Sequence, residues 1–433
     1  MDQNQNTNAK ETTDTKEITF QERFKLFLGF DWASDHHDVI GVLASGKTVL
    51  DLGFEDSAAG WAALRERLVE QAGPDLSKVA VCVETNNGPA VERLLEMGCV
   101  VYPINPKSAE RYRDRKSSAG DKSDRLDAWS FADALRTDGH AWKALLPDDP
   151  LTQELRILCR DEVNLIQQRT ALVCQLKAAM HEYYQAALEA FDDWTTPSTW
   201  AFVDAFPTPA DLVKAGKRRW EKFLHVHRLF RPETYAKRLE IFARADRFAG
   251  TQPVTKAKTL LALALTAQLR TLQKQLGLYR QAIEQLFAKH PDNDIFDSLP
   301  GAAQKLAPRL LSEFGDRRER FESPQDLQCY AGSAPVTIQS GKKRCVKFRT
   351  ACNKHLRQAL HLRADHSSAQ STWADIYYQH KREHGMSHAC ALRCLAQRWT
   401  KIIWKMWQTH TTYDEAFHTK NQIKHGAWII KPA

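Results

Sequence analysis

The sequence predicts an α/β N-terminal domain, a long helical connector and a mainly α-helical C-terminal domain. Three observations support this fold class. Short apolar runs alternate with helical patterns between residues 25 and 145. Two longer stretches, 151–188 and 256–289, carry leucines near helical spacing. The last third contains one loop-rich stretch, residues 333–344, among patterns that otherwise predict helices.

The N-terminal domain is predicted at residues 25–145, after a polar and disordered tail at residues 1–24. Apolar runs predict strands at 26–31, 38–43, 48–53, 79–84 and 99–104, and helices at 58–71 and 90–97. Three early strands followed by an alternation of helix and strand are typical of a ribonuclease H-like α/β layer.

The connector is predicted at residues 146–291. In its second helical stretch, leucines recur at gaps of three, four and seven residues, which favours an antiparallel or intermolecular coiled coil. Residues 191–250 form an insert that is rich in aromatic and basic residues. Two interpretations of this insert stay open: a small helical bundle with a solvated basic face, or a nucleic-acid surface.

The C-terminal domain is predicted at residues 292–433. Its large apolar residues Trp399, Ile403, Trp404 and Trp407 recur at helical spacing, which indicates a packing face rather than a base-stacking platform.

Composition excludes several classes of protein. At 433 residues the chain can form two or three domains with large cores. It has no apolar run near the roughly 20 residues of a spanning helix, and its polar first residues lack the apolar core of a signal peptide. Nine cysteines without a secretory pattern favour a reducing cytosol. The formal charge of +8 allows a polyanionic partner, so we predict a cytosolic protein without membrane association.

Four acids form the first candidate site. Asp31 and Glu84 each end an apolar run, and Asp124 and Asp127 lie three positions apart, on one face of a helix. Carboxylates that converge in this way can hold two Mg²⁺ ions about 3.5–4 Å apart, and Mn²⁺ suits the same oxygen ligands. In the alternative, the strand-end acids cap turns and the helical acids face solvent. Asp121 extends the helical ladder and competes for the same role.

The second candidate site is the pair Ser340-Gly341 and the basic run that follows it. Glycine lets a phosphate approach the backbone closely, and nearby cations can neutralise charge that develops on phosphorus. Ser340 is then a candidate nucleophile, although a serine and glycine before a basic run also occur in ordinary loops. Five of the eight residues from 342 to 349 are basic, namely Lys342, Lys343, Arg344, Lys347 and Arg349.

Zinc is a weaker possibility, because the spacing lacks the tight pairs of structural zinc sites. Buried free thiols are the favoured interpretation. The residues concerned are Cys345, Cys352, His384, His388, Cys390 and Cys394.

Together, these motifs resemble those of the DEDD-type insertion-sequence transposases, which are RuvC-like serine recombinases guided by a bridge RNA. The resemblance covers about residues 26–145 and 292–365. Besides the strand that ends in Asp31, the matching motifs are Val83-Glu84-Thr85, Tyr102-Pro103-Ile104-Asn105-Pro106, Lys122-Ser123-Asp124, Asp127-Ala128, Leu299-Pro300-Gly301, Tyr330-Ala331-Gly332 with Pro335, Ser340-Gly341, and Leu356-Arg357-Gln358-Ala359-Leu360.

The resemblance implies a RuvC-like fold for residues 25–145 and specific roles for the candidate residues. Asp31, Glu84, Asp124 and Asp127 would hold the metal, and Ser340 would become joined to DNA. Donor and target duplexes would be chosen by a noncoding guide RNA. Carboxylate and serine domains of different protomers would share a site within a tetramer built as a dimer of dimers, acting on the nucleoid in the bacterial cytosol.

The resulting hypothesis is metal-assisted strand exchange through a phosphoserine. Two alternatives stay open: a RuvC-like nuclease that hydrolyses DNA with water, and a non-catalytic nucleic-acid-binding scaffold. The sequence departs from the family pattern at Pro300-Gly301-Ala302-Ala303, which lacks the second glycine of the usual phosphate-binding hairpin.

Overall fold

A computed structural model describes residues 19–86, 88–116 and 123–425. The chain divides into two compact units, Met1–Pro147 and Asp148–Ala433. The predicted connector and the predicted C-terminal domain therefore both fall within the second unit. Residues 1–18, the larger part of the predicted tail, lie outside the described residues.

The first unit is built on a mixed five-stranded sheet of order β3-β2-β1-β4-β5. Strand β2 runs antiparallel to β1 and β3, whereas β4 runs parallel to β1 and β5. The strands are β1 (Leu26–Trp32), β2 (His36–Val42), β3 (Thr48–Glu55), β4 (Val79–Val83) and β5 (Val100–Pro103). A mixed α/β layer followed by a mostly helical body confirms the coarse prediction of fold class.

Helices cover both faces of this sheet, because side chains along a strand alternate between the two faces. Leu28 and Phe30 pack in the core on one face, and Phe27 packs in the core on the other. The helices of the unit are α1 (Phe20–Arg23), α2 (Ala58–Ala72), α3 (Pro89–Glu96), α4 (Pro106–Lys116) and α5 (Asp124–Asp138).

The structure corrects the boundary of the predicted tail. Thr19 and Glu22 form a capping box at the start of α1. Phe24 is buried, and its ring lies 6.0 Å from the ring of Phe27 and 6.2 Å from that of Tyr102. Residues 19–24 are thus part of the folded unit, because their aromatic side chains close one end of the core.

The second unit is almost entirely helical. Its helices are α6 (Pro150–Tyr183), α7 (Gln185–Ala190), α8 (Pro197–Ala205), α9 (Pro209–Val226), α10 (Pro232–Ala243), α11 (Gln252–Lys289), α12 (Asn293–Asp297), α13 (Ala303–Phe314), α14 (Pro324–Tyr330), α15 (Lys354–Ser368), α16 (Thr372–Glu383), α17 (His388–Thr409) and α18 (Glu415–Lys424). Its two strands are β6 (Val336–Ser340) and β7 (Lys343–Lys347). In the described part of the chain, no helix is both long and apolar enough to cross a membrane.

Helices α6 and α11 run antiparallel along each other. Polar contacts follow the pair from end to end: Glu162 with Arg280, Arg169 with Gln273, and Glu182 with Lys258. Leu155 near the start of α6 packs in the C-terminal core, whereas Leu176 farther along packs in the core of the insert. The helix pair therefore joins the two cores of this unit.

The aromatic residues of the insert are mainly core residues. Trp194, Trp200 and Trp220 are buried between α6, α11 and α7 to α10. The basic residues Lys214, Lys217, Arg218 and Arg219 are exposed. The insert is therefore helical with an exposed basic face, and this arrangement agrees with both interpretations, a solvated face and a nucleic-acid surface. The chain leaves α6 and returns to α11 at one place, where Tyr184 and Ala249 form an antiparallel bridge.

The C-terminal helices enclose a second core. Trp399, Ile403 and Trp407 on α17 are buried in it, which confirms the predicted packing face. The predicted loop at residues 333–344 is wrong for most of its length, because β6 and β7 form an antiparallel hairpin there.

Candidate active site

Two of the predicted acids lie at the ends of neighbouring parallel strands. Asp31 is near the end of β1, and Glu84 follows directly after β4. Phe30 pairs with Val83 in the register of these strands, so the two acids come next to each other at the same edge of the sheet. Both side chains are partly exposed.

Helix α5 brings the other two acids to the same edge. Asp124 and Asp127 lie in its first turn, where the helix dipole favours negative charge, and Ser123 caps it by accepting a hydrogen bond from the Leu126 amide. The helix lies directly on β1 at Gly29. A Cβ atom there would come 1.8 Å from the carbonyl oxygen of Ala128, so only glycine allows this approach.

The pKa of Asp31 responds to its burial and to the neighbouring acids. Burial, together with the negative charges of Asp127, Asp124 and Glu84, raises the pKa of Asp31 from 3.8 to about 7. The charge of Asp38, its cross-strand partner on β2, acts in the same direction but more weakly. The four predicted acids therefore share one electrostatic site.

Arg113 on α4 supplies a positive charge to this site. Its Nη1 atom donates to both carboxylate oxygens of Asp127, at 2.6 and 2.8 Å. Asp127 is buried, and Asp124 is exposed at the mouth of the cluster. Sequence reasoning missed Arg113, because no motif marks an arginine fourteen positions before its partner.

The acids do not form a closed ligand shell. In the described ranges, no group of three or more His, Cys, Asp or Glu side chains is placed closely enough to hold a metal ion. Electrostatic coupling extends farther than the 2.0–2.6 Å of metal–oxygen bonds, so neighbouring acids can interact without converging. The oxygen donors nevertheless suit Mg²⁺ or Mn²⁺. A cation would relieve the repulsion among the acids, which adds to the effect of burial on the pKa of Asp31. Asp121 lies outside the described residues.

In the absence of metal, we expect the acid cluster to make the stability of the folded protein depend on pH. Because the pKa of Asp31 is 3.8 when unfolded and about 7 when folded, the folded state binds the extra proton between these values. Stability should therefore fall as pH rises from about 4 to 7 and level off above that. We expect Asp31→Asn to reduce this decline.

The measurement is Tm by scanning calorimetry in EDTA at pH 5 to 8. Asp133→Asn, on the outer part of α5, serves as the control and should keep the wild-type slope. An Asp31→Asn protein with an unchanged slope would contradict the assignment.

Ser340 lies in the second unit, at the tip of the β6–β7 hairpin. A two-residue turn, Gly341-Lys342, joins the strands, and Gly341 has φ of +55°, a conformation that favours glycine. Ser340 pairs with Lys343 across the turn, so both side chains point to the same face. Ser340 and Lys343 are both exposed, so the serine hydroxyl lies on the same open face as the lysine side chain.

The predicted basic run surrounds this serine. Lys342, Lys343, Arg344 and Lys347 are exposed, and Arg349 is partly buried with its Nε donating to the Ala334 carbonyl at 3.2 Å. In the portion of the chain that the structure describes, none of these five side chains forms an ion pair with an acid. The hairpin therefore presents uncompensated positive charge on both faces.

The structure also describes the candidate zinc ligands and the motif around Gly301. The zinc alternative gains no support, since the described cysteines are free and form no metal-binding group with histidines or acids. Gly301, in the motif that departs from the family pattern, donates its backbone N–H to Gln370 at 2.7 Å. That amide is therefore occupied by the protein itself and not offered to a phosphate.

The chain is similar to known transposases over most of its length. Residues 28–185 match a family described as a DEDD transposase of the IS110 type, and residues 293–379 match one described as "Transposase IS116/IS110/IS902 family". A Streptomyces coelicolor protein named as the mini-circle transposase for IS117 is 34% identical over 403 residues, which are 92% of this chain and 97% of that protein.

Two further relatives are proteins of insertion elements. The 43.6 kDa protein of insertion element IS110 from Streptomyces coelicolor is 27% identical over 90% of this chain and 95% of its own length. The 44.8 kDa protein of insertion element IS116 from Streptomyces clavuligerus is 25% identical over 88% of this chain and 94% of its own length.

Proposed function

Since this chain belongs to the IS116/IS110/IS902 family of transposases, we propose that it recombines DNA through a covalent phosphoserine intermediate. Transposases act on DNA, so a DNA substrate follows from family membership itself. The phosphoserine proposal rests on one observation: the exposed Ser340 hydroxyl lies beside Lys343 at the tip of a basic hairpin.

In the proposed step, the Ser340 oxygen bonds to a backbone phosphorus and the bond to the departing sugar oxygen breaks. The proton of the serine hydroxyl passes to the departing sugar oxygen, so the step balances. Lys343 and the neighbouring cations stabilise the charge that develops on the phosphate oxygens. The phosphoserine ester conserves the energy of the broken bond, so rejoining to another strand needs no nucleotide cofactor.

The acid cluster is proposed to hold the metal, and the DEDD transposase family is generally metal dependent. Asp31, Glu84, Asp124 and Asp127 would supply hard oxygen ligands for two Mg²⁺ ions, with Mn²⁺ as a substitute. When bound, such ions polarise the scissile phosphate and favour ionisation of the attacking hydroxyl.

We further propose that the first unit is RuvC-like, and that α6 and α11 act as a coiled-coil connector. By family resemblance, the functional assembly is a tetramer in which carboxylates and serine of different protomers complete one site. A noncoding RNA would select donor and target duplexes in the bacterial cytosol. The uncompensated positive charge of the hairpin supports nucleic-acid contact in general.

The proposal is tested by trapping a protein–DNA adduct. Purified protein is incubated with labelled DNA carrying the element ends and the element's RNA, with Mg²⁺ or EDTA, and resolved on a denaturing gel. We expect a labelled band at the size of protein plus DNA in Mg²⁺ only. Cleaved DNA without an adduct would instead identify a hydrolytic nuclease, and binding without cleavage would identify a scaffold.

Arg113 provides a second test, which concerns the metal directly. The guanidinium of Arg113 contacts both carboxylate oxygens of Asp127, so Arg113→Gln should free this carboxylate for the metal. We expect Mn²⁺ to bind about fivefold more tightly, because the lost competing interaction is worth about 1 kcal/mol. Paramagnetic resonance of free Mn²⁺ measures this affinity. Arg115→Gln, on the same helix but paired with Asp138 at 3.8 Å, is the matched control. Unchanged or weaker Mn²⁺ binding in Arg113→Gln would contradict competition.

A further inference from the structure

A pocket lies at the base of the β6–β7 hairpin, and two residues of the basic run, Lys347 and Arg349, are among those that line it. It has a volume of about 290 Å³. The hairpin strand β7 and its continuation form one wall, helix α17 forms another, and the loop before β6 forms the floor. The lining residues that matter here are Ser333, Pro335, Phe348, Arg393, Cys390 and Cys394.

Phe348 is the central feature of this pocket. Its side chain is 48% exposed, although it is a large apolar group. The guanidinium carbons of Arg357 and Arg393 lie 5.0 and 5.1 Å from its ring centroid. The exposed part of this ring offers a stacking surface, and the two guanidinium groups over the ring place positive charge beside it.

The cations around Phe348 are not neutralised by the protein. Among the residues that the structure describes, Lys347, Arg349, Arg357 and Arg393 form no ion pair with an acid. Arg349 and Arg357 are instead held in place through backbone carbonyls, since Arg349 donates to Ala334 and Arg357 donates to Arg349 at 3.3 Å. The walls are thus preorganised for an anion beside an aromatic surface.

We propose that this pocket, the Phe348 pocket, binds one unpaired nucleotide, with the base stacked against Phe348 and the 5′ phosphate held by Arg393 and Arg357. Its volume is at the lower end of small-molecule pockets and suits one base rather than a base pair. This inference rests on the proposed function, because strand exchange must create unpaired nucleotides near the nucleophile.

The test compares strands and duplexes. Fluorescence anisotropy gives Kd for a labelled single strand, as DNA and as RNA, and for a duplex of the same sequence. Phe348→Ala should weaken single-strand binding about tenfold, the size of one base–aromatic stack, and change duplex binding by less than twofold. The difference between the DNA and RNA strands identifies which one supplies the nucleotide.

Matched variants control for general effects. Phe417→Ala removes another exposed aromatic ring, on α18, and should leave both affinities unchanged. Arg393→Gln should weaken single-strand binding more than Lys401→Gln, which removes one charge from the same helix. Equal losses for single strands and duplexes in Phe348→Ala, or no loss at all, would overturn the inference.

Native cysteines give a second readout that needs no substitution. Cys390 and Cys394 line the pocket, whereas Cys174 is exposed on α6. A bound single strand should slow alkylation of Cys390 and Cys394 at least fivefold and leave Cys174 unchanged, as measured by mass spectrometry. Equal rates with and without the strand would also overturn the inference.

These outcomes are separable from those of the adduct test. A Ser340 adduct together with unchanged single-strand binding in Phe348→Ala would reject the pocket and keep the recombinase. Selective loss of single-strand binding without any adduct would keep the pocket and reject the phosphoserine.

Discussion

Replacing Ser340 with alanine is expected to abolish the covalent protein–DNA adduct and all strand exchange. The substitution removes the only atom that the proposed mechanism joins to phosphorus. The side chain lies exposed on a hairpin, so its loss of one oxygen should leave folding and DNA affinity unchanged. The expected phenotype is therefore normal binding with product below detection, on the denaturing gel that traps the wild-type adduct.

Thr337→Ala is the matched control for this experiment. Thr337 is also an exposed hydroxyl on β6, but it pairs with Val346 and points to the opposite face of the hairpin. We expect it to retain the adduct. Full recombination by Ser340→Ala would refute the serine mechanism, whereas loss in both variants would indicate damage to the hairpin.

Replacing Gly29 with alanine is expected to destabilise the first unit by about 3 kcal/mol, the upper end of typical overpacking costs. The added methyl would meet the Ala128 carbonyl oxygen at 1.8 Å and the Ala132 nitrogen at 2.6 Å. Both are backbone atoms, so α5 must move as a whole. Since α5 carries Asp124 and Asp127, metal binding should weaken as well.

Hydrogen exchange followed by mass spectrometry locates this effect. Peptides covering β1 and α5 should lose protection, while peptides from α13 and α17 keep it. Gly277→Ala is the control, because nothing lies within 4 Å of a Cβ there and alanine favours a helix interior by about 1 kcal/mol. Retained protection in β1 of the Gly29→Ala protein would show that α5 adapts without cost.

Much of the first unit could be predicted because its signals are local. Strands β1 and β4 are continuous apolar runs, as buried strands are, and each run ends in the acid that the site requires. Their adjacency in the sheet brings Asp31 and Glu84 together. The position of α5 was harder to predict, since it depends on the contact at Gly29, which only three-dimensional packing reveals.

The hairpin was missed although its signal is present. Val336, Ile338 and Val346 have the β-branched character of strands, and Gly341 begins a two-residue turn. The high density of basic residues made the segment resemble a loop. Arg113 and the pairing of Phe348 with Arg393 could not be predicted, because each joins residues that are distant in sequence and have no characteristic spacing.

The bridge between Tyr184 and Ala249 has an evolutionary consequence. Because the insert leaves and re-enters the helix pair at adjacent points, its length can change without moving α6 or α11. We therefore expect related chains to differ more in the length of this insert than in the length of α6 or α11.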